Sequence, residues 1–495
     1  MSAPAASSSR ETLLRWLLAI GLGGLLLIVF SPSWGAFLLW SRVPELGGMI
    51  ETRRAVSVLA QLAQPGSEVA DQLHRAIQWR VFFPLIGRVL HLPTVVFFGL
   101  AHLGAFLVLA YLVRRLRSAG FTWSEAGAST LALGATSWFF TATGWLGYFD
   151  SWLALGLLVT AFSPATALLG LACLLTPWID ERFVIAAPLA LLCRWLLPPS
   201  PRAIKRDVGV AAGLLSAFLF TRLGLLAHHS AAGATLGGYL GQRDYLDAPI
   251  SRIIFGVWEG LRAGWFFTIL GVYALRRQRG HSWALGGTLV ATALTGLATA
   301  QDYSRSLTML FPAAVLGLLL TRAAAPAWWP YLPRGAAAVA LLLPAHHVMN
   351  DAVAPIFNLQ HALHFVDQPP AIAMPELYEL RAFHAMARAE YVKADADLAL
   401  AIKLAANPAS PAKQRGILAA SQGRWTDARI YFSLMAKHDP KNPDAWLMCA
   451  QASHALAEPA VARTELNRAL ELAPADWRTR PDVARFLAKI GPPHK

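Results

Sequence analysis

Long uninterrupted apolar runs fill the first 350 residues, and a different pattern follows them. The runs cover 13–30, 94–113, 128–147, 152–162, 165–178, 183–197, 208–227, 253–275, 283–300, 307–320 and 334–348. A helix crossing a bilayer needs about 20 apolar residues at about 1.5 Å each. The pattern therefore predicts about eleven transmembrane helices, of which the short fourth and fifth could form one re-entrant hairpin. The first run has Arg10 before it and Arg15 at its start, no A-x-A site comes after it, and the chain stays apolar from Trp34 to Trp40. It reads as an uncleaved anchor and not as a signal peptide. From about Met374, Ala, Leu, Glu, Arg and Lys recur with helical spacing. The organisation expected is a transmembrane domain over 1–350, a linker over 351–374 and a soluble helical-repeat domain over 375–495. The fold class is all-α: a polytopic membrane domain followed by a helical-repeat domain.

Composition agrees. The chain is 56% hydrophobic and 15% charged, against about 25% charged in an ordinary soluble domain. That excludes a soluble enzyme and a disordered chain. Cys173, Cys193 and Cys449 are too few for a disulfide framework. The net charge of +14 would suggest nucleic acid in a soluble protein. Here the basic residues cluster in short loops: Arg114, Arg115 and Arg117; Arg202, Lys205 and Arg206; Arg276, Arg277 and Arg279; Arg322 near Arg334. With eleven spans and a cytoplasmic N-terminus, every cluster falls on the cytoplasmic side. The charge is then a topology signal, and no nucleic-acid partner is implied. The C-terminal domain lies outside the cytoplasm, in a periplasm or lumen.

The same topology sends the acids to the outer face. The long loop 41–93 is outside, with Glu45, Glu51, Glu68 and Asp71, and Gly47-Gly48 between the first two. Segments 50–62 and 69–79 read as amphipathic helices that lie in the interface. Asp150 sits at the tip between two spans, Asp180-Glu181-Arg182 follows Thr-Pro-Trp in a tight turn, and Asp302 is three residues before Arg305. Tight turns hold carboxylates at the membrane surface, where charge is costly and marks function or a cavity; the plainer alternative is solvated loop acids. Two cations fall inside spans near the outer side: Arg222, and Arg262 three residues after Glu259 on one helix face. They read either as internal salt bridges and snorkelling side chains, or as groups that grip a phosphate. The pairs His228-His229, His346-His347 and His361/His364 lack the third and fourth ligands of a zinc site. No phosphate-binding glycine loop, G-x-S-x-G or H-E-x-x-H is present.

The tail contains a repeat. Pro408, Pro440 and Pro474 are 32 and 34 residues apart, each with an Ala twelve residues before it (Ala396, Ala428, Ala462) and a large apolar residue eight before it (Leu400, Phe432, Leu466). Gly423 and Trp446 stand where a tetratricopeptide repeat has its turn glycine and early tryptophan. A stack of helix pairs has a concave face that binds a protein or peptide; a helical cap on the membrane domain is the alternative.

A long first outer loop with interfacial helices, about eleven spans and a polar outer face together resemble the GT-C superfamily of polytopic glycosyltransferases. The segment Gln78-Trp79-Arg80-Val81-Phe82-Phe83-Pro84-Leu85 is similar to the Arg-x-x-x-Pro-Leu segment of many bacterial members. The short fourth and fifth spans followed by Asp180-Glu181-Arg182 are also similar, and some luminal members carry tetratricopeptide repeats. This chain has Glu45 and Glu51 early in the loop but no acid-x-acid pair. The resemblance implies sugar transfer from a polyprenyl-phosphate donor at the outer face. Glu51 or Glu45 would act as base, with Asp150 a further catalytic candidate, and Arg222 or Arg262 would stabilise the departing phosphate. Asp150, Asp180 and Glu181 would hold sugar hydroxyls or a divalent cation; Arg182, Asp302 and Arg305 complete the substrate-binding set. Two other classes compete: a non-catalytic scaffold whose repeats bind a partner, and a transporter or polymerase of a lipid-linked substrate.

Overall fold

A computed structural model describes residues 9–30, 50–67, 77–197, 204–228, 248–299, 302–324, 326–350, 353–356, 375–387, 389–405, 407–474, 477–478 and 480–490. It is mostly helical. The chain divides into two compact units, residues 1–41 with 51–363, and residues 42–50 with 364–495.

In the first unit the apolar runs become helices, but not uniformly long ones. Four among the described residues are long and apolar enough to cross a membrane: Ser9–Phe30, Thr94–Ser118, Ile204–Gly224 and Tyr303–Ala324. A fifth is obtained if Ile250–Leu261 and Gly264–Ala274, bent by 84°, count as one broken span. The expectation of about eleven full spans is thus corrected. Run 128–147 breaks into Trp123–Gly134 and Ser137–Gly144, because Thr136 is extended and caps its hydroxyl on the Leu133 carbonyl. Asp150–Phe162 and Thr166–Trp178 are short. Run 334–348 holds only the helix Leu332–Leu342, then turns into a β-strand, Ala345–Val348, paired antiparallel with Val353–Ile356. That hairpin is the departure from an all-α chain.

These helices are apolar outside as well as inside. Ile28, Leu171, Phe220, Ile254, Ile269 and Leu294 are exposed, which suits helices surrounded by hydrocarbon and not by water. Inside, small residues let backbones approach. A Cβ on Gly317 would lie 1.9 Å from the Phe267 carbonyl oxygen and 3.1 Å from the Gly271 Cα, so this crossing of Gly264–Ala274 against Phe311–Ala324 admits glycine alone.

The basic segments form local bonds: Arg117 pairs with Glu11, Arg322 donates to the Gly120 carbonyl and Trp329 Nε1 donates to Glu125, while Arg194 pairs with Asp207 across one loop. Exposed aromatics accompany them, including Trp16, Trp195, Trp283 and Tyr331. The acidic turns at 147–150, 180–182 and 302–305 meet each other instead.

The second unit is a helical repeat. Its helices begin at Pro375, Ala409 and Pro443, alternating with helices that begin at Tyr391, Trp425 and Pro459, each series in steps of 34 residues. Between the members of each pair Ala389, Gly423 and Ala457 take positive φ of 60°, 74° and 60°. Ala428, Phe432, Ala462 and Leu466 are buried as expected. The first copy is corrected by two residues: Ala394 and Leu398 are buried where Ala396 and Leu400 were expected, and Leu400 is exposed. A Cβ on Gly416 would meet the Phe432 ring at 2.4 Å, so this glycine makes room for the phenylalanine that seals the repeat core.

Candidate functional site

Three turns build the acidic cluster. Gly147, at φ 78°, turns the chain into the Asp150–Phe162 helix, and a Cβ there would meet Val58 at 2.9 Å. Glycine therefore lets the loop helix Ile50–Ala63 close onto this tip. After the turn Thr176–Trp178, Asp180 accepts the backbone N–H of Arg182 at 3.1 Å and fixes the Asp180-Glu181-Arg182 turn. Asp302 caps the helix Tyr303–Ser306 by accepting the Arg305 N–H at 3.0 Å.

The side chains converge. Arg182 binds Asp180 through two bonds, Nε to Oδ1 at 2.9 Å and Nη2 to Oδ2 at 2.7 Å, and its Nη2 also donates to Asp150 Oδ1. Arg305 Nε donates to the same Asp150 oxygen at 2.7 Å, and its Nη2 reaches Asp180 at 3.3 Å. Arg80 forks onto Glu181 at 3.0 and 2.9 Å and lies 3.4 Å from Asp180. Arg222 lies 4.0 Å from Glu181. Asp150 is wholly buried and its Oδ2 has no hydrogen-bond partner among the described residues. Burial pushes the Asp180 carboxyl up, but Arg182, Arg80 and Arg305 outweigh it and hold it well below the usual carboxylate range. Glu181 is likewise raised by burial and lowered further by Arg80 and Arg222.

Asp150, Asp180, Glu181, Arg182, Arg222 and Arg305 therefore stand in one network, with Asp302 at its edge. Asp302 receives His347 Nε2 at 2.9 Å, and His347 Nδ1 lies 3.4 Å from Ser304 Oγ. The network does not take in Arg262. That side chain pairs with Glu259 at 2.9 Å and donates to the carbonyls of Ala340, Leu343 and Pro344 at 3.0, 2.7 and 2.8 Å. It caps the end of the Leu332–Leu342 helix, whose last carbonyls lack intrahelical partners. Glu51 lies in the helix Ile50–Ala63, but its side chain falls outside the described residues, as do Glu45, Glu68 and Asp71.

Two features change the chemistry expected. An acid clamped by two guanidiniums is a weak base, so Asp150 orients Arg182 and Arg305 and is poorly suited to take a proton. The carboxylates face arginines, a donor set that repels a divalent cation, and among the described residues no three metal-ligating side chains gather. Arg54, Arg80, Tyr148 and His347 join the site without having been assigned to it from sequence. Arg80 had a signal, since it opens the Arg-x-x-x-Pro-Leu segment. Arg54 had none to separate it from Arg53.

The tetratricopeptide repeat family matches residues 419–490, so the C-terminal region carries tetratricopeptide-like repeats. No curated protein matches the chain. The crystal structure of the yeast Tom70 aligns over 98% of this chain and 96% of that one at 13% identity, with a TM-score of 0.23, too low to indicate a shared overall fold.

Proposed function

We propose that this is a membrane-embedded protein that holds a protein or peptide partner on its tetratricopeptide-like domain. The observation that carries this reading is the stack of helix pairs in 34-residue steps, a form whose concave face binds extended chain. Outward apolar side chains, basic loops and interfacial aromatics support a chain that crosses the bilayer, with a cytoplasmic N-terminus and the repeats outside. The test compares native-membrane purifications of the full chain with those of a chain ending at residue 363. A stoichiometric partner that accompanies only the full chain is expected. The same companions with both would remove the reading. A reporter active only outside the cytoplasm, fused after residue 363, checks the topology.

A second reading is favoured by a separate observation, the meeting of Asp150, Asp180, Glu181, Arg182, Arg222 and Arg305 from distant parts of the sequence. Such a site suits a glycosyltransferase that takes a sugar from a polyprenyl phosphate. Glu51 or Glu45 would take the acceptor proton, since the acids of the network are held ionised by arginine. Turnover of a lipid-linked sugar by the full chain, lost in Glu51→Gln or Glu45→Gln, is expected. Full activity in both variants would end the base assignment, and no turnover with any polyprenyl-linked sugar would leave the partner-binding reading alone.

A further inference from the structure

Two helices of the first unit begin at the acidic turns and end at a second polar strip. Asp150 and Arg182 open the helices Asp150–Phe162 and Arg182–Leu196. Twelve residues further along them lie Phe162 and Arg194, about 18 Å away at about 1.5 Å per residue. There the chain from Leu158 to Thr166 forms a floor for three other elements. The Tyr111 hydroxyl donates to the Leu158 carbonyl at 3.3 Å, Arg194 Nη1 to the carbonyls of Thr160, at 3.4 Å, and Ser163, and Arg206 Nη2 to the Thr166 hydroxyl at 2.6 Å. Arg114 and Arg115 lie in the last turns of the helix Thr94–Ser118, and their charges act with that of Arg194 on the Tyr111 hydroxyl. Lys205 precedes Arg206 at the start of the helix Ile204–His228.

Five cations therefore border this strip. Among the described residues Asp207 is the only acid bonded to any of them: it accepts from Arg194 at 2.7 Å and from the Thr166 hydroxyl, and it also feels Arg206. Arg115 reaches the Ser118 hydroxyl at 3.5 Å, and its Nε is buried with no hydrogen-bond partner among the described residues. Arg114, Lys205 and Arg206 are exposed. Along the floor the neutralised Arg194 stands between two pairs in surplus, Arg114 with Arg115 and Lys205 with Arg206. Beside them the helix Thr166–Leu175 exposes Leu168, Leu171 and Leu174, and Trp195 is exposed next to Arg194. A cationic strip that continues into an apolar wall is matched to a lipid, and a soluble anion would leave the wall unused.

We propose that this strip binds the headgroup of an anionic phospholipid carrying two phosphates, one on Arg114 and Arg115 and the other on Lys205 and Arg206, with its acyl chains along the exposed leucines. Guanidinium N–H groups and the lysine ammonium both suit phosphate oxygens, and a headgroup with one phosphate leaves one pair open. The inference rests on the reading that the chain is embedded in a membrane. It is independent of the partner held by the repeats.

Carbonate extraction of native membranes comes first. The full chain is expected to stay with the bilayer, and its release would overturn the membrane reading and this site with it. The full chain is then placed in phosphatidylcholine nanodiscs containing cardiolipin, or phosphatidylglycerol at equal total phosphate. Retained lipid is counted by native mass spectrometry, and thermal unfolding gives the affinity. Cardiolipin is expected to stay bound to the released chain and to stabilise it more than phosphatidylglycerol does. Its Kd should rise about thirtyfold in Arg114→Gln with Arg115→Gln, and by a similar factor in Lys205→Gln with Arg206→Gln, at about fivefold per basic residue. The second pair is exposed, so it tests the site even where loss of Arg115 weakens folding. Arg276→Gln with Arg277→Gln, exposed cations of another loop, should change the Kd by less than about twofold, since charges beyond a Debye length are screened. Equal retention of the two anionic lipids overturns the two-phosphate bridge. Equal losses in all three double variants would reveal a general charge effect and overturn the site. Inorganic phosphate that stabilises the chain in pure phosphatidylcholine discs as much as cardiolipin does would assign the cations to a soluble anion and overturn it as well.

Discussion

Arg262 and Arg54 are both buried arginines on short helical segments, and they are satisfied in opposite ways. Arg262 sits at the 84° corner between two helices with φ 46°, a strained value for a non-glycine residue. There it meets Glu259 and three carbonyls at a helix end. Arg54 has one carbonyl and one aromatic ring in contact, and feels Asp150 as well as the like-charged Arg305 and Arg80 from further off. The difference shows that burial of an arginine says little about its role. What counts is whether the fold itself supplies the opposite charge. Where a carboxylate bonds the guanidinium directly, as at Arg262, removing the arginine strands a buried charge; at Arg54 it strands none.

The largest effect expected is from Arg262→Ala. It leaves Glu259 buried without its partner and uncaps the Leu332–Leu342 helix, at a cost of about 3–5 kcal/mol, read by unfolding in nanodiscs. A cost below about 1 kcal/mol would erase the contrast. Replacing both members together, Glu259→Leu with Arg262→Met, removes the unpaired charge. It is expected to cost less than Arg262→Ala alone, because well-packed apolar residues often replace a buried pair at little cost.

Acid should then separate the Asp150–Asp180–Glu181 network from the Arg262 corner. Asp180 and Glu181 have carboxyls lowered in the folded chain. Their contribution is fully present above the unfolded values of about 3.9 and 4.3 and is lost as pH falls through the folded ones. The unfolding temperature should hold from pH 7 to 5 and fall below about pH 4, and Asp180→Asn should flatten that fall. A decline that starts between pH 7 and 5 would contradict the assignment. Smaller still is Arg54→Gln, expected to change stability by less than about 1 kcal/mol, since it removes one bond to the Gly147 carbonyl and leaves no carboxylate without a hydrogen-bond partner. In the repeats, Ala389→Gly and Ala457→Gly relieve positive φ and should each stabilise by about 0.5–1 kcal/mol in thermal unfolding.

Much of this was legible in the chain. Turns pinned between apolar runs marked Asp150, Asp180 and Asp302 as a set, and the three turns do meet. The arginines that close the network were harder to read. Pairing of Arg80 with Glu181 spans 101 residues and leaves no local pattern, and Arg54 looks like any residue on the polar side of a loop helix. The bend at Arg262 is hidden inside a continuous apolar run, where Glu259 and Arg262 are its only mark. In the tail, prolines misled: Pro408 lies at the start of the Ala409–Ser421 helix, and a spacing of 32 from it shifted the first copy by two residues. The true register follows the turn residues Ala389, Gly423 and Ala457, of which only one is glycine.

The central claim is that the loop before Thr94, through Arg80, and the Asp180-Glu181-Arg182 turn form one site. A double-mutant cycle on Arg80→Ala and Glu181→Ala in the full chain tests it most directly. A coupling of at least about 1 kcal/mol is predicted for groups in contact, whereas additivity within about 0.3–0.5 kcal/mol would show that the loop does not join the turn.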